Sequence, residues 1–217
     1  MEVSSDQIIQ AVSETLYMVS VSLVFATLIG LPLGILLVVT RKGHILENQA
    51  LFSALNPVIN VLRSVPFIIL LVAIIPFTRL IVGTSIGTTA AIVPLVIYTG
   101  PYIARLVENS LLDVDAGIIE AAEAMGATPM QIIFRFLIPE SLGSLVLSIT
   151  TATIGLIGAT AMAGAVGGGG IGDLAITYGY QRFSTVTIIA TVIILVVLVQ
   201  AIQSLGNVLA RKIRRHG

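Results

Sequence analysis

The chain has 217 residues, of which 56 % are hydrophobic and 10 % charged, whereas about a quarter of the residues in a soluble domain carry a charge. This composition predicts an integral membrane protein, and the formal net charge of zero gives no signature of nucleic-acid binding. The chain has no cysteine, and His44 and His216 each stand beside a basic cluster rather than beside each other, so we expect neither a metal site nor an enzyme active site.

The first predicted span covers residues 15–39, which carry no charge and exceed the roughly 20 apolar residues that cross a bilayer. Acidic residues precede it, and no Lys or Arg comes before Arg41. A signal peptide opens with positive charge, so we expect this segment to be a retained span. Within it, Gly30 and Gly34 form a small-xxx-small pattern, which is typical of close helix packing in membranes.

The second span is the hardest to place, because residues 48–78 are uncharged except for Arg63. An arginine at the centre of the bilayer costs about 2.5–3.5 kcal/mol on the insertion scale. We therefore predict a span over residues 62–77, with Arg63 near one interface or in a protein-lined cavity. An interfacial or packed helix is expected upstream of it.

Three more spans are predicted, over residues 80–104, 141–172 and 183–210, and the 141–172 stretch is long enough for a span plus a loop. The fourth span is rich in glycine and hydroxyl residues. Small residues permit close helix packing, but the clustered hydroxyls also fit a polar seam along a translocation path. The candidates for such a path are Thr150, Thr153 and Thr160.

Five spans put the two termini on opposite sides of the membrane, and the positive-inside rule selects the orientation. With the N-terminus outside and the C-terminus cytoplasmic, eight Lys and Arg residues lie on the cytoplasmic side and two on the outer side. The eight are Arg41, Lys42, Arg105, Arg135, Arg211, Lys212, Arg214 and Arg215, and the two are Arg79 and Arg182. The polar segment at residues 105–140 is therefore predicted to be cytoplasmic.

This cytoplasmic segment is predicted to begin with a helix over residues 115–125. Asp113 or Asp115 can accept hydrogen bonds from the free N–H groups of its first turn. Gly126 follows as a helix stop, since glycine tolerates the left-handed conformation.

A second helix is predicted to start directly after the turn. Thr128 suits the N-cap, and Gln131 completes a capping box with it. Pro139 is expected to mark the return to the membrane. The segment before Arg135 is acidic, whereas a helix that binds anionic lipid is basic on its polar face. This charge favours a docking element for a protein over an amphipathic loop on the membrane surface.

The same segment resembles the signature loop of permease subunits in ABC importers, whose pattern is E-A-A, three residues, Gly, nine residues, then I-x-L-P. The matching residues are Glu120, Ala121, Ala122, Gly126, Phe136, Ile138 and Pro139. Phe136 and Ile138 replace the isoleucine and leucine of the pattern and keep its apolar bulk. The resemblance implies a short coupling helix that docks into a cleft on an ATPase subunit.

Five further segments resemble the permease family of bacterial methionine importers, at residues 63–71, 76–87, 104–112, 125–132 and 161–172. This resemblance implies the type I ABC importer permease fold over a single transmembrane domain, residues 1–217, in the bacterial inner membrane. It also implies two ATPase subunits, an extracytoplasmic methionine-binding lipoprotein, and L-methionine as substrate, with D-methionine or derivatives as further substrates. A homodimer is expected, since one path is most simply built at a two-fold interface.

ATP and Mg are expected on the partner ATPase and no cofactor on this chain, because neither Lys42 nor Lys212 is followed by Ser or Thr, as a phosphate-binding loop requires. The glycine run at residues 167–172 follows a membrane helix rather than a strand, so we interpret it as an outer turn, not a dinucleotide site. Met162, among small neighbours, is either a gate at the two-fold axis or a gap-filler in helix packing.

Three alternative functions remain open. The nearest is an importer permease for another amino acid or small organic solute. An ion-coupled secondary transporter usually has ionisable residues in mid-membrane and internal repeats. Here the predicted spans other than the second contain no acid or base, and we see no repeat. A non-transporting membrane scaffold would not need the acidic helix–turn–helix.

Overall fold

The first helix, α1, runs unbroken over Ser5–Val39 in the computed structural model, which describes residues 3–214. It begins at a capping box, in which Ser4 Oγ accepts from the N–H of Gln7 and Gln7 Oε1 accepts from the N–H of Ser4. The helix therefore starts at Ser5 rather than at residue 15, because a strong cap extends it through a charged turn beyond the apolar stretch. Its 35 residues span about 52 Å, which exceeds the thickness of the hydrocarbon core.

The most extensive helix pair in the molecule joins α1 to α5 (Thr88–Leu112). A Cβ atom added at Gly30 would lie 2.6 Å from the carbonyl oxygen of Gly100, and one added at Gly34 would lie 2.6 Å from that of Ala104. Residues increase in the same direction along both helices, so the pair is parallel. The close packing predicted from the two glycines is confirmed.

The second predicted span is not a single helix. The chain here forms α2 (Gln49–Ser64), α3 (Phe67–Ala73) and α4 (Ile75–Val82), and the axis bends by 100° between α2 and α3. The bend lies at Val65 and Pro66, where Val65 adopts an extended conformation (φ −81°, ψ 122°), as residues before proline do. The prediction of one span over residues 62–77 is therefore wrong, because that range crosses the bend.

The upstream helix expected from the sequence is α2, which packs against α1 and α5 through Ile59. Arg63 is exposed in its last turn, just before the bend. Beyond the bend, α3 runs along α5, and the rings of Phe67 and Tyr98 meet edge to face with centroids 5.2 Å apart.

The third predicted span, residues 80–104, is displaced at both ends. The left-handed glycines Gly83 (φ 82°) and Gly87 (φ 98°) end α4 and precede α5, so α5 starts at Thr88. At its other end, α5 continues to Leu112 and contains Arg105 and Glu108. The predicted range 80–104 is itself uncharged, and Arg105 and Glu108 lie in the turns of α5 that follow it, where they pair with each other.

The second half of the cytoplasmic segment is not a separate helix. A 36-residue helix runs without a break over α7 (Pro129–Ile132), a π-helical turn (Ile133–Leu137) and α8 (Ile138–Gly164). Pro139 lies inside this helix, at the second residue of α8. The N–H of Ile138 bonds to the carbonyl of Ile133, one residue further back than in an α-helix. This π register is the local distortion that lets the helix continue through a proline, which has no N–H.

The fourth predicted span ends at Gly164, and the rest of its range forms a loop and the short α9 (Gly170–Asp173). This loop is tied to α1: the N–H of Gly170 donates to Glu14 Oε2 (2.8 Å), and that of Ile171 donates to Thr15 Oγ1 (2.9 Å). The glycine run is therefore a packed turn fixed by hydrogen bonds to the start of α1.

A second π-helical segment, Leu174–Tyr180, leads to the last helix, α10 (Thr185–Arg214). Within residues 3–214, four helices are long and apolar enough to cross a membrane, and the bent α2–α3 pair makes a possible fifth span. Arg215 and His216, which the sequence analysis placed in the basic C-terminus, lie outside the described residues.

Candidate functional site

The coupling segment, which we define as residues 115–139, begins with α6 (Ala116–Ala124). Of the two predicted caps, Asp115 is the one used: its Oδ1 accepts from the N–H of Gly117 at 2.7 Å. Asp113 instead ends α5. Glu120 and Ala121 are exposed, while Ala122 is fully buried against the body of the protein. The helix therefore presents its acidic face to solvent.

The turn after α6 is a Schellman motif centred on Gly126. The N–H of Ala127 bonds to the carbonyl of Ala122 (3.0 Å), and the N–H of Gly126 bonds to that of Glu123 (2.9 Å). Gly126 has φ +78°, which confirms the predicted helix stop. No atom lies within 4 Å of a Cβ built at Gly126. Backbone conformation, not space, therefore requires glycine at this position.

The predicted capping box starts the second half of the coupling segment. Thr128 Oγ1 accepts from the N–H of Gln131 (3.4 Å), and Gln131 Oε1 accepts from the N–H of Thr128 (2.9 Å). The prediction is confirmed, and the box fixes the direction of the chain where it turns back toward α8.

The turn exposes three large apolar side chains that the sequence analysis did not select as a docking patch. Met125 is 71 % exposed, Met130 62 % and Phe134 60 %. Met130 and Phe134 are one helical turn apart, and this spacing outside the apolar spans was the available signal. Exposed methionines adapt their shape to a partner surface. We call these three side chains the exposed patch, and the exposed acids Glu120 and Glu123 precede them on α6.

The last three residues of the signature lie at the root of α8. Phe136 and Ile138 are half-buried, and Ile138 packs on the core cluster that joins α1, α5 and α8. Pro139 is exposed. The structure therefore places four of the seven predicted residues on α6 and its turn, where Ala122 alone is buried, and three at the root of α8.

A cavity of about 280 Å³ lies beneath α6, against the loop that joins α1 to α2. His44 lines it from the loop, and Glu120 and Glu123 line it from α6. Burial, and to a lesser extent the positive charge of Arg41, lowers the pKa of His44 below its usual 6.5. His44 is thus held neutral where the loop meets the coupling segment. Among residues 3–214, no group of three or more His, Asp or Glu side chains is arranged to hold a metal ion.

The three path candidates are buried within one protomer. Thr150, Thr153 and Thr160 donate their hydroxyl protons to the carbonyls of Val146, Ile149 and Ile157 in their own helix, at 2.7, 2.8 and 2.7 Å. Thr150 also packs directly on Gly206 of α10. The accessible face of α8 is a different one.

Met162 lies on that accessible face of α8. Its side chain is 53 % exposed, and the face also includes Thr151, Gly155 and Gly158. No atom lies within 4 Å of a Cβ built at Gly158. The gate candidate is therefore free to contact another molecule, whereas the three threonines are not.

Long apolar helices joined by an exposed, doubly capped segment are the features of a polytopic membrane protein. Residues 30–215 match the family of binding-protein-dependent transport system inner membrane components. The chain belongs to this family, so it is a multi-pass permease component of the bacterial inner membrane and is not itself catalytic.

Three relatives show how close the relationship is. The probable D-methionine transport system permease protein MetI of Vibrio cholerae serotype O1 is 51 % identical over 210 residues, which cover 97 % of this chain and 93 % of that protein. Its counterpart from Pasteurella multocida is 54 % identical over 200 residues, 92 % of each protein. In an inward-facing structure of the MetNI methionine ABC transporter, one chain is 48 % identical and superposes with a TM-score of 0.95, covering 97 % of this chain and 99 % of that one. These relatives confirm the resemblance inferred from the sequence.

Proposed function

We propose that this chain is the membrane-spanning subunit of an ATP-driven importer of methionine, with L-methionine, D-methionine and close derivatives as substrates. The observation that carries the proposal is its full-length relationship to permeases of D-methionine transport systems, at 51 % identity over 97 % of the chain. The single transmembrane domain at residues 1–217 forms the translocation path together with a second copy of the chain.

The N-terminus is on the outer side and the C-terminus in the cytoplasm. The excess of Lys and Arg in the segments assigned to the cytoplasm supports this orientation. The parallel packing of α1 and α5 is consistent with it, because two spans that run in the same direction require one span between them, which the bent α2–α3 pair supplies.

Two ATPase subunits bind ATP and Mg on the cytoplasmic side, and the coupling segment docks on them. Its coupling residues are Glu120, Ala121, Ala122, Gly126, Phe136, Ile138 and Pro139, of which the buried Ala122 and the half-buried Phe136 and Ile138 act by holding the exposed ones in place. The exposed patch of Met125, Met130 and Phe134 adds apolar area to this contact. ATP binding favours one arrangement of the subunits over the other, and so shifts the path between inward-open and outward-open states. A methionine-binding lipoprotein delivers substrate on the outer side.

The test is co-expression with the ATPase subunit, followed by purification and reconstitution. We expect the ATPase to purify with the wild-type chain and to be lost when residues 120–139 are replaced by a flexible linker. In vesicles whose ATPase subunits face the lumen, with the binding protein outside, methionine should accumulate only when ATP is enclosed in the lumen. Uptake driven by an ion gradient without ATP would contradict the proposal, and uptake of a different solute with no competition by methionine would correct the substrate.

A further inference from the structure

Near its cytoplasmic end, α5 carries a buried ion pair that the seven signature residues do not include. Glu108 is 1 % exposed and is paired with Arg105 one turn earlier on the same helix. A buried carboxylate of this kind is retained only where its charge is compensated. The other side of the same guanidinium group is directed at a different helix.

Arg105 connects α5 to α2 through two asparagines. Its Nη2 donates to Asn56 Oδ1 and to Asn60 Oδ1, each at 2.7 Å, while its Nη1 donates to Glu108. Asn56 and Asn60 are four residues apart and lie on one face of α2. The planar guanidinium group fixes all three partners in one geometry, which the point charge of a lysine does not reproduce. We call Asn56, Asn60, Arg105 and Glu108 the α2 clamp.

Apart from the clamp, few residues of α2 contact the rest of the protein. Ile59 is its single buried residue, and the helix touches the body of the protein over that side chain and its partly buried neighbours Phe52 and Leu55. Past Ser64 the chain bends by 100° into α3 and α4. The position of α2 therefore determines where this bent span begins.

The clamp also lies on the last turns of the helix that precedes the coupling segment. Glu108 is in the last turns of α5, and α6 begins at Ala116 after a short turn. The opposite face of this end of α5 is joined to α8 by hydroxyl contacts, including Ser110 Oγ with Ser148 Oγ at 2.7 Å. A displacement of α6 is thus passed to α5 and, through the clamp, to α2, whereas α5 and α8 stay packed together along their length with or without these hydroxyl contacts.

We propose that the α2 clamp transmits motion of the coupling segment to the bent second span, and that Arg105 is a positioning residue for transport. This inference rests on the proposed ATP-driven function.

The test uses variants that leave the ion pair intact, because removing Arg105 leaves Glu108 charged and buried and so risks misfolding. Asn56→Ala with Asn60→Ala removes both bonds to α2. We expect complex assembly and basal ATP hydrolysis to be unchanged, and methionine transported per ATP hydrolysed to fall about tenfold. The matched control is Ser110→Ala with Ser148→Ala, which removes interhelical bonds on the other face of α5 and should leave that ratio close to the wild-type value.

Hydrogen exchange supplies a second readout that a purely structural role would not change. In the wild-type complex, exchange of α2 amides should differ between the nucleotide-free and ATP-bound states. In the asparagine double variant this difference should disappear, while the difference in α6 persists. An ATP-dependent change in α2 equal to that of the wild type, or an equal loss of coupling in the serine control, would overturn the proposal. If the wild-type complex itself shows no ATP-dependent uptake, the proposed function fails first and the clamp loses its basis with it.

Discussion

At the residue scale, the turn at Gly126 depends on one backbone conformation. A non-glycine residue in the left-handed region costs about 1–2 kcal/mol, but asparagine adopts that region more readily than alanine. Because a Cβ at Gly126 would meet no atom within 4 Å, substitutions there change the backbone preference without a steric clash. The orientation of α6 relative to α8 is thus controlled by the backbone preference of this residue.

We therefore expect Gly126→Ala to lower methionine transport per ATP hydrolysed, because the Schellman turn would be distorted and α6 would be presented at a different angle. Gly126→Asn should retain most of the wild-type ratio, since asparagine tolerates φ near +78°. The measurement is uptake and hydrolysis in the same vesicles. If alanine and asparagine have equal effects, the backbone conformation is not what matters at this position.

At the element scale, α1 and α5 can approach closely only because glycines occupy their contact. A Cβ at Gly34 would come within 2.6 Å of the Ala104 carbonyl oxygen. We expect Gly34→Ala to push the helices apart and lower the free energy of unfolding by about 1–3 kcal/mol, the usual cost of overpacking. Thermal unfolding in detergent measures this loss. Gly100→Ala, in the same helix pair, is the control and should lose less stability, because the nearest atom to a Cβ added there is 3.7 Å away.

The loop between α1 and α2 gives this part of the molecule a pH dependence. The pKa of His44 is lowered in the folded state, chiefly by burial, so the less folded states bind its proton more readily. The stability contributed by the loop is therefore complete above pH 6.5 and is lost as the pH falls below 6.5 toward the lowered pKa.

Comparing thermal unfolding at about pH 7.5 and about pH 5.5 tests this effect, because a histidine with an ordinary pKa gains most of its proton between these values, as His44 does in the less folded states. We expect the wild type to lose more stability on acidification than His44→Gln, which keeps a neutral side chain in the cavity wall. The other titrating groups are identical in the two proteins, so their contribution cancels in the comparison. The same loss of stability in both proteins would contradict the role of His44.

The features of the coupling segment that were predicted from the sequence are those that depend on neighbouring residues. Asp115, Gly126 and the Thr128–Gln131 box satisfy backbone groups within a few positions of themselves, so the local pattern was sufficient. The ends of the spans were predicted poorly for the opposite reason. Whether Arg105 lies in a helix or in a loop depends on Glu108 and on the asparagines of α2, and the latter are distant in the sequence.

The bend before α3 belongs to the same group of errors. Pro66 was visible in the sequence, but a hydropathy window averages the hydrophobicity of the residues on both sides of it. Such a window gives the length of an apolar segment and not the direction of its helix axis. The failure to predict the exposed patch from the sequence has a different cause. Met125, Met130 and Phe134 are apolar residues in a polar segment, and their exposure follows from the angle between α6 and α8. That angle is set by the backbone of the turn around Gly126, which the hydrophobicity of these three residues does not report.

At the scale of the whole molecule, one protomer leaves two kinds of surface on its membrane helices uncovered. In the most apolar window of α5, 61 % is buried, compared with 11 % in that of α10. The exposed face of α10 is lined by large aliphatic side chains such as Val196 and Val197, which suit lipid. The exposed face of α8 contains small residues, which permit a second helix to approach closely. We expect the second copy of the chain on the α8 side and lipid around α10.

Met162 is the large side chain on that α8 face, where small residues leave room around it. If two copies meet there, the pair of Met162 side chains fills the path near the two-fold axis in the closed state. Met162→Ala would shorten both side chains and open a route through this point. We expect methionine leak without ATP, or basal ATP hydrolysis, to rise about tenfold, as for a barrier lowered by about 1.4 kcal/mol. Efflux from preloaded vesicles and hydrolysis without binding protein measure the two effects.

Val197→Ala, which shortens a side chain that is 62 % exposed on α10, should change neither rate, because it faces lipid in this arrangement. A loss of stability in Met162→Ala with no rise in either rate would instead identify Met162 as a packing residue at the contact between the two copies.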